Sequence, residues 1–158
     1  LITQQAESVE IVYFANVDRV TAEGVEVELE RKFDGGTLAR ASYALQETED
    51  AQTGYDLSSS PHHLAKFSLQ IPLSGVTAGA LELQYQSEVR TLALPRAGGF
   101  LLGNLQLSHE IRSQRIHLYA SVLNFLDRRY GYPGAEDHLQ DVIWLDGRTF
   151  SLRLARRF

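Results

Sequence analysis

GRTFSLRLARRF, residues 147–158, ends the chain with a pattern in which polar and apolar side chains alternate from Thr149 to Leu154. Alternation with a period of two predicts a β-strand that has one apolar and one polar face. A strand of this kind is typical of a barrel wall that faces lipid on one side and water on the other. We therefore expect the terminal aromatic residue to lie in register with the apolar residues before it. The apolar face would carry Phe150, Leu152, Leu154 and Phe158.

Six upstream segments alternate in the same way. Each would form a strand of about ten residues, which is close to the length that crosses a bilayer at a tilt. With the terminal strand they make seven, and residues 1–5 are expected to be the end of an eighth. The sequence thus predicts an all-β fold, an antiparallel up-and-down meander of about seven to eight long strands that is part of a transmembrane β-barrel. The six segments lie at residues 25–30, 39–46, 65–71, 81–90, 103–108 and 116–122.

The connections between these strands alternate in length. Hairpins of outer-membrane barrels have this arrangement, with the short turns on the periplasmic side. Neither an internal repeat nor a linker divides the sequence, so residues 1–158 are expected to form a single unit. Short turns are expected at residues 34–36, 74–79 and 112–114, and longer connections at 49–61, 91–99 and 128–146.

Composition excludes several kinds of protein. The chain has 158 residues and no cysteine, so disulfide scaffolds and thiolate metal sites are ruled out. A formal charge of −5 argues against nucleic acid as a partner. The five histidines lack the spacing of a metal site, and no nucleophile elbow, phosphate loop or dinucleotide fingerprint occurs. We expect no catalytic residues, no metal site, no cofactor and no enzymatic activity.

The long connection at residues 128–146 is the best candidate for a ligand-binding site. Its aromatic and charged side chains would suit a polar ligand at the mouth of a barrel. A purely structural explanation is simpler, because tyrosine and tryptophan also form the interfacial belt of membrane barrels and Pro133-Gly134 suits a turn. The candidate ligand-binding residues are Arg128, Arg129, Tyr130, Tyr132, His138 and Trp144.

A second fold would satisfy the same alternation. In a soluble antiparallel sandwich or small barrel, the apolar faces point inward to a core instead of outward to lipid. Such a protein would be a binding module, for instance a sandwich that holds carbohydrate with exposed aromatic side chains. Alternation with a period of two determines which residues share a face but not what that face contacts.

Several motifs together resemble a known family. Asn124-Phe-Leu-Asp-Arg-Arg-Tyr130, Asp146-Gly-Arg-Thr-Phe150 and the closing Phe158 are similar to the C-terminal signature of TonB-dependent outer-membrane receptors. Other pieces resemble the preceding strands of the same barrel, so the resemblance covers nearly the whole chain. These pieces are residues 13–16 (YFAN), 24–28 (GVEVE), 41–44 (ASYA) and 60–66 (SPHHLAK).

The resemblance implies a role, a location and a set of partners. Receptors of this family lie in the outer membrane of Gram-negative bacteria and import small ligands such as ferric siderophores without chemical conversion. The implied partners are outer-membrane lipid, the remainder of the barrel and its plug, the energising TonB protein acting through the parent receptor, and the barrel-assembly machinery. Within the terminal strand, the resemblance implies that Phe150, Leu152, Leu154 and Phe158 form the assembly signal.

The resemblance also implies that the chain corresponds to about the last third of the barrel, without the plug. Such a piece has two open edges, whose unpaired backbone groups cannot face hydrocarbon without cost. We expect the isolated chain either to close into a small barrel of about eight strands or to associate edge to edge with other copies.

Overall fold

The computed structural model describes residues 2–8, 11–16, 19–93, 95–135 and 138–158. These residues contain thirteen strands and one short 3₁₀ helix, Arg112–Gln114. No helix in these ranges has the length and the hydrophobicity needed to cross a membrane. The strands are β1 (Ile2–Ser8), β2 (Ile11–Asn16), β3 (Val20–Lys32), β4 (Leu38–Asp50), β5 (His63–Ser74), β6 (Thr77–Gln86), β7 (Val89–Arg90), β8 (Arg96–Ala97), β9 (Phe100–Ile111), β10 (Ile116–Leu123), β11 (Gly131–Pro133), β12 (Val142–Trp144) and β13 (Thr149–Arg156).

Seven of these strands form one antiparallel sheet in the order β13-β10-β9-β6-β5-β4-β3. Each long strand pairs with the long strand that precedes or follows it in the chain, because hairpin connections place consecutive strands side by side. The all-β meander predicted from the sequence is therefore confirmed.

The connections sort by length between the two ends of the sheet. At one end, which we call the turn end, residues 33–37, 75–76 and 112–115 make short connections. At the other, the loop end, the long connections are residues 51–62, 87–99 and 124–148. The predicted alternation is confirmed, although the second turn is tighter than expected because β6 already begins at Thr77.

The predicted eighth strand is wrong as a member of this sheet. β1 pairs with β2 in a separate two-stranded ladder that runs from Ile2 opposite Asn16 to Ser8 opposite Ile11. Two further ladders, β7 with β8 and β11 with β12, lie inside the long connections. Their strands are only two or three residues long, too short for alternation to be recognised in the sequence.

The register gives the sheet one apolar and one polar face. Leu69, Leu81 and Leu105 lie side by side on β5, β6 and β9, in a row that continues to Val122 and Phe150. The residues next to them along each strand form the opposite face. That face carries Ser68, Glu82, Asn104, Gln106, Ser121 and Ser151.

The apolar face is uncovered. Leu29 is 70% exposed, Leu107 46% and Leu152 78%. The buried apolar residues, Val89, Ala97 and Phe100, all lie at the loop end, outside the middle of the sheet. In a soluble sandwich a second sheet would cover this face. An apolar surface of this extent instead needs lipid or another protein against it.

The sheet is open, so the expected closure into a small barrel is wrong for this chain. Among the described residues, β3 and β13 each pair with one neighbour only. The seven strands alternate in direction, so the first and the last run the same way and cannot form an antiparallel pair with each other. Edge-to-edge association of copies stays a prediction.

We expect hydrogen exchange to be fast at the outward amides of β3 and β13 and slow in β6 and β9. Amides in the central strands donate to a neighbouring strand, whereas an edge strand has every second amide unpaired. Mass spectrometry of the chain in detergent would measure both classes at several protein concentrations. Equal protection of edge and centre at low concentration would contradict the open sheet, and edge protection that grows with concentration would reveal association.

Candidate functional site

The loop end has a small core of its own. Val89 on β7 is 2% exposed and Ala97, its partner on β8, is 3% exposed. Thr91, which is fully buried, donates from both its backbone N and its Oγ1 to the carbonyl oxygen of Pro95, over 2.9 and 2.8 Å. Backbone hydrogen bonds and buried side chains therefore fix the connection between β6 and β9 as a short hairpin.

Asp56 ties this hairpin to the neighbouring connection. Its Oδ2 lies 3.1 Å from Nε2 of His62 and 3.4 Å from Nη2 of Arg96. Nε of Arg90 also donates to the backbone oxygen of Asp56 over 2.7 Å. The hydrogen bond with His62, together with the charge of Arg96, holds the pKa of the Asp56 carboxyl below its usual range. The carboxylate thus stays ionised and joins residues 51–62 to the hairpin β7–β8.

Asn124 builds the corner that follows β10. It is 4% exposed and has a left-handed backbone, with φ of 49°, which asparagine tolerates better than most residues. Its Nδ2 donates to the oxygen of Arg128 over 2.8 Å, and its Oδ1 accepts from the N of Arg128 over 3.0 Å. Its own backbone N donates to Oδ1 of Asn104, on the polar face of β9. The first residue of the signature segment therefore has a structural role.

Two further contacts secure this corner. Oδ1 of Asp127 accepts from the backbone N of Arg148 over 2.9 Å, which joins the corner to the start of β13. On the apolar face, the N of Phe125 donates to the oxygen of Gly103 over 2.8 Å. A Cβ at Gly103 would clash with Cε1 of Phe125, so any larger residue at this position would displace the ring.

Beyond the corner, the hairpin β11–β12 packs on the polar face of the sheet. Its anchor is Phe100, which lies opposite Gln86 and therefore on the polar face. The ring centroids of Tyr130 and Tyr132 are 5.0 and 5.6 Å from that of Phe100. Burial, with smaller contributions from Tyr132 and the carboxylate of Asp146, raises the pKa of Tyr130. These three rings fix the hairpin against the wall.

The other face of the hairpin carries a different pair. The guanidinium of Arg129 lies 4.5 Å from the centroid of the Trp144 ring, a cation–π contact. Trp144 lies opposite Gly131 and so on the face away from Tyr130 and Tyr132. It is 55% exposed. This pair is accessible to a ligand, whereas the rings of the two tyrosines pack against Phe100, with 38% of Tyr132 still exposed.

The remaining candidate residues lie elsewhere in the hairpin. Nδ1 of His138 accepts from the N of Ala135 over 3.2 Å, which places His138 in the turn at the tip. Arg128 is bonded to the corner through its backbone and its side chain is exposed. The six candidate residues thus fall on one hairpin but do not converge on one pocket.

The polar wall contains an ion-pair cluster that the sequence did not reveal. Arg40 on β4 lies across from Glu30 on β3, to which its guanidinium is hydrogen-bonded, and its Nε is 3.5 Å from the carboxylate of Glu28. Arg40 and Glu28, with Lys66 and Glu82, line a groove of 460 Å³. Within the described ranges, no three histidine or acidic side chains are placed to hold a metal ion.

In the terminal strand, Phe150, Leu152 and Leu154 share the apolar face and are 63% to 78% exposed. The ladder ends at Arg156, two residues before Phe158, which is 98% exposed. Phe158 therefore lies beyond the paired part of β13, and strand pairing does not place it in register with Leu154. An assembly signal in this strand stays a prediction.

The sequence matches no protein-family model, and no curated protein resembles it closely in sequence. Solved structures do resemble it. The copper transporter OprC is 18% identical with a TM-score of 0.72, over 97% of this chain and 26% of that one. The ferric citrate transporter FecA, in its unliganded form, is 18% identical with a TM-score of 0.73, over 94% of this chain and 25% of that one. The ferripyoverdine receptor of the outer membrane of Pseudomonas aeruginosa, bound to ferripyoverdine, is 14% identical with a TM-score of 0.67, over 85% of this chain and 19% of that one.

The sheet shares its fold with part of each of these three proteins. This confirms the fold that the sequence motifs implied. The chain spans between 19% and 26% of the length of these three proteins. All of them are transporters or receptors rather than enzymes.

We expect Asn124→Ala to destabilise the corner by about 1–3 kcal/mol, because it removes the two hydrogen bonds that the buried side chain of Asn124 makes with the backbone of Arg128. Denaturant unfolding followed by tryptophan fluorescence would report on this region directly, since Trp144 is the single tryptophan of the chain. Asp141→Ala, at an exposed position next to β12 in the hairpin beyond the corner, is the matched control. If both variants unfold at the denaturant concentration of the unchanged protein, the corner does not have the proposed structural role.

Proposed function

We propose that this chain forms part of the wall of a TonB-dependent outer-membrane receptor in a Gram-negative bacterium. The observation that carries the proposal is the uncovered apolar face of a seven-stranded meander whose other face is polar. A barrel in lipid needs both faces, apolar toward the acyl chains and polar toward the lumen. The fold shared with outer-membrane transporters and receptors supports the same assignment. The soluble binding module fits less well, because it would leave the apolar face in water.

The cargo that we propose is a small iron chelate of the siderophore class. Two of the structural neighbours are a ferric citrate transporter and a ferripyoverdine receptor. The chain performs no chemistry in this proposal; it supplies part of the wall and of the outer mouth. Its partners would be outer-membrane lipid, the rest of the barrel with its plug, the TonB protein acting through the whole receptor, and the barrel-assembly machinery. An assembly signal at Phe150, Leu152, Leu154 and Phe158 stays a prediction.

Site-directed spin labelling tests the membrane assignment. The chain has no cysteine, so each cysteine variant gives one labelled position. We expect a nitroxide at Leu105→Cys, on the apolar face, to be accessible to oxygen in lipid and shielded from an aqueous nickel chelate. The neighbouring Gln106→Cys, on the polar face, is the matched control and should show the reverse. If the nickel chelate reaches both labels equally in reconstituted vesicles, the membrane assignment is wrong.

Within the long connection, we propose that Arg129 and Trp144 contact the ligand and that Tyr130 and Tyr132 anchor the hairpin. The support is the division of the hairpin into two faces, one packed on Phe100 and one exposed. A guanidinium beside an accessible indole suits an anionic chelate, because the cation attracts its charge and the ring covers its apolar part.

We expect ferric citrate, used as the probe, to quench the fluorescence of Trp144. Arg129→Gln should weaken the apparent affinity by about tenfold, as expected for the loss of one charge-assisted contact. Tyr132→Phe keeps the anchoring ring and should leave the affinity unchanged. Quenching that is absent, or that is equally strong in Arg129→Gln, would contradict the assignment of this face to the ligand.

A further inference from the structure

The turn end of the sheet carries basic side chains that have no acidic partner. Among the described residues, none of these side chains lies within ion-pair distance of a carboxylate. Ion pairs do occur elsewhere in the described chain, at Arg40 on the polar face and at Arg96 and Arg148 at the loop end. The turn-end basic residues outside these ion pairs are Arg31, Lys32, Arg115, Arg156 and Arg157, whereas Arg112 at the same end is paired with Glu110.

Two of these residues lie on the apolar face. Arg31 is opposite Ala39, in the row that continues with Leu69, so its side chain leaves the sheet on the same side as the leucines. Arg156 is opposite Ile116 and follows Leu154 on the apolar face of β13. Each arginine is one of the last two residues of its strand at the turn end.

Both of these arginines are stacked on an aromatic ring. The guanidinium of Arg31 lies 4.8 Å from the ring centroid of Phe33, and that of Arg156 lies 5.4 Å from that of Phe158. Both rings are exposed, Phe33 by 43% and Phe158 by 98%. The same pairing thus occurs on the two edge strands, six strands apart in the sheet.

An arginine beside an aromatic ring at the end of a lipid-facing strand is suited to the membrane interface. Aromatic rings favour the level of the headgroups, and a long basic side chain extends from the apolar region toward them. A guanidinium binds phosphate oxygens through two parallel hydrogen bonds. Since no described carboxylate occupies these guanidinium groups, their charge is available to an anion from outside the chain.

We propose that Arg31 with Phe33 and Arg156 with Phe158 form two binding sites for the phosphate of anionic phospholipid at the turn end. The two sites fix the depth of the sheet in the bilayer, because the rings enter the headgroup layer while the guanidinium groups hold the phosphates. The proposal rests on the membrane assignment made above. It gives Arg156 a specific role at a position where the strand pattern calls for an apolar residue.

Spin-labelled lipids test this proposal. In vesicles, lipid that contacts the protein is motionally restricted, and the restricted fraction gives the relative association constant of labelled phosphatidylglycerol over labelled phosphatidylcholine. A basic side chain near an anionic surface contributes about a fivefold preference. We expect the unchanged chain to prefer phosphatidylglycerol and the double variant Arg31→Gln with Arg156→Gln to lose that preference.

The double variant Lys32→Gln with Arg153→Gln is the matched control. It removes the same charge from the same two strands, but on the polar face, so it should keep the preference. Inorganic phosphate, added at constant ionic strength, should not reduce the preference, since a lipid also binds through its acyl chains. The proposal would be overturned if both double variants lost the preference for phosphatidylglycerol equally, or if inorganic phosphate displaced the labelled lipid.

The experiment separates this proposal from the membrane assignment. If restricted lipid is present but shows no preference for phosphatidylglycerol, the two proposed phosphate sites are wrong and the membrane assignment still stands. A complete lack of restricted lipid around the unchanged chain would overturn both.

Discussion

The antiparallel register of the seven long strands is the constraint on which the other features depend. Because side chains alternate between faces, a slip of one residue between β6 and β9 would move Leu105 and Leu107 to the polar side and Asn104 and Gln106 to the apolar side. The register is maintained at both ends of the sheet. At the turn end the connections are too short to allow a shift, and at the loop end Asn124 ties β10 to Asn104 on β9.

The loop end is held together by contacts within the chain. Its small apolar core, the Asp56 cluster and the Phe100 ring cluster form among the connections themselves. The middle of the sheet is different, since no described residue covers the apolar face that its leucines form. The described chain therefore combines a loop end that has its own buried contacts with a sheet whose apolar face is uncovered.

The long strands and their two faces could be predicted from the sequence, because alternation of side chains with a period of two is a local signal. The alternation of Leu81, Glu82 and Leu83 is enough to assign a strand and its two faces, and short and long connections follow from where alternation stops. The hairpin β11–β12 could not be divided into two faces in this way. Tyr130 and Tyr132 gain their role from Phe100, about thirty residues away, and a contact of that separation has no local signature. The expected closure failed for a similar reason, since it depends on the relative direction of the first and last strands rather than on any one of them.

The equal direction of β3 and β13 also determines what can complete the wall. Any segment that joins both edges by antiparallel pairing must contribute an odd number of strands, since only an odd number can begin and end on strands that run opposite to β3 and β13. Its first strand must start at the turn end, where β13 finishes, and its last must finish at the loop end, where β3 starts. A second copy of this sheet has an odd number of strands too, but in the same orientation its edge strands run parallel to those they would meet. Two copies facing the same way across a bilayer therefore cannot form a continuous antiparallel wall, and the complement must have a different course through the membrane.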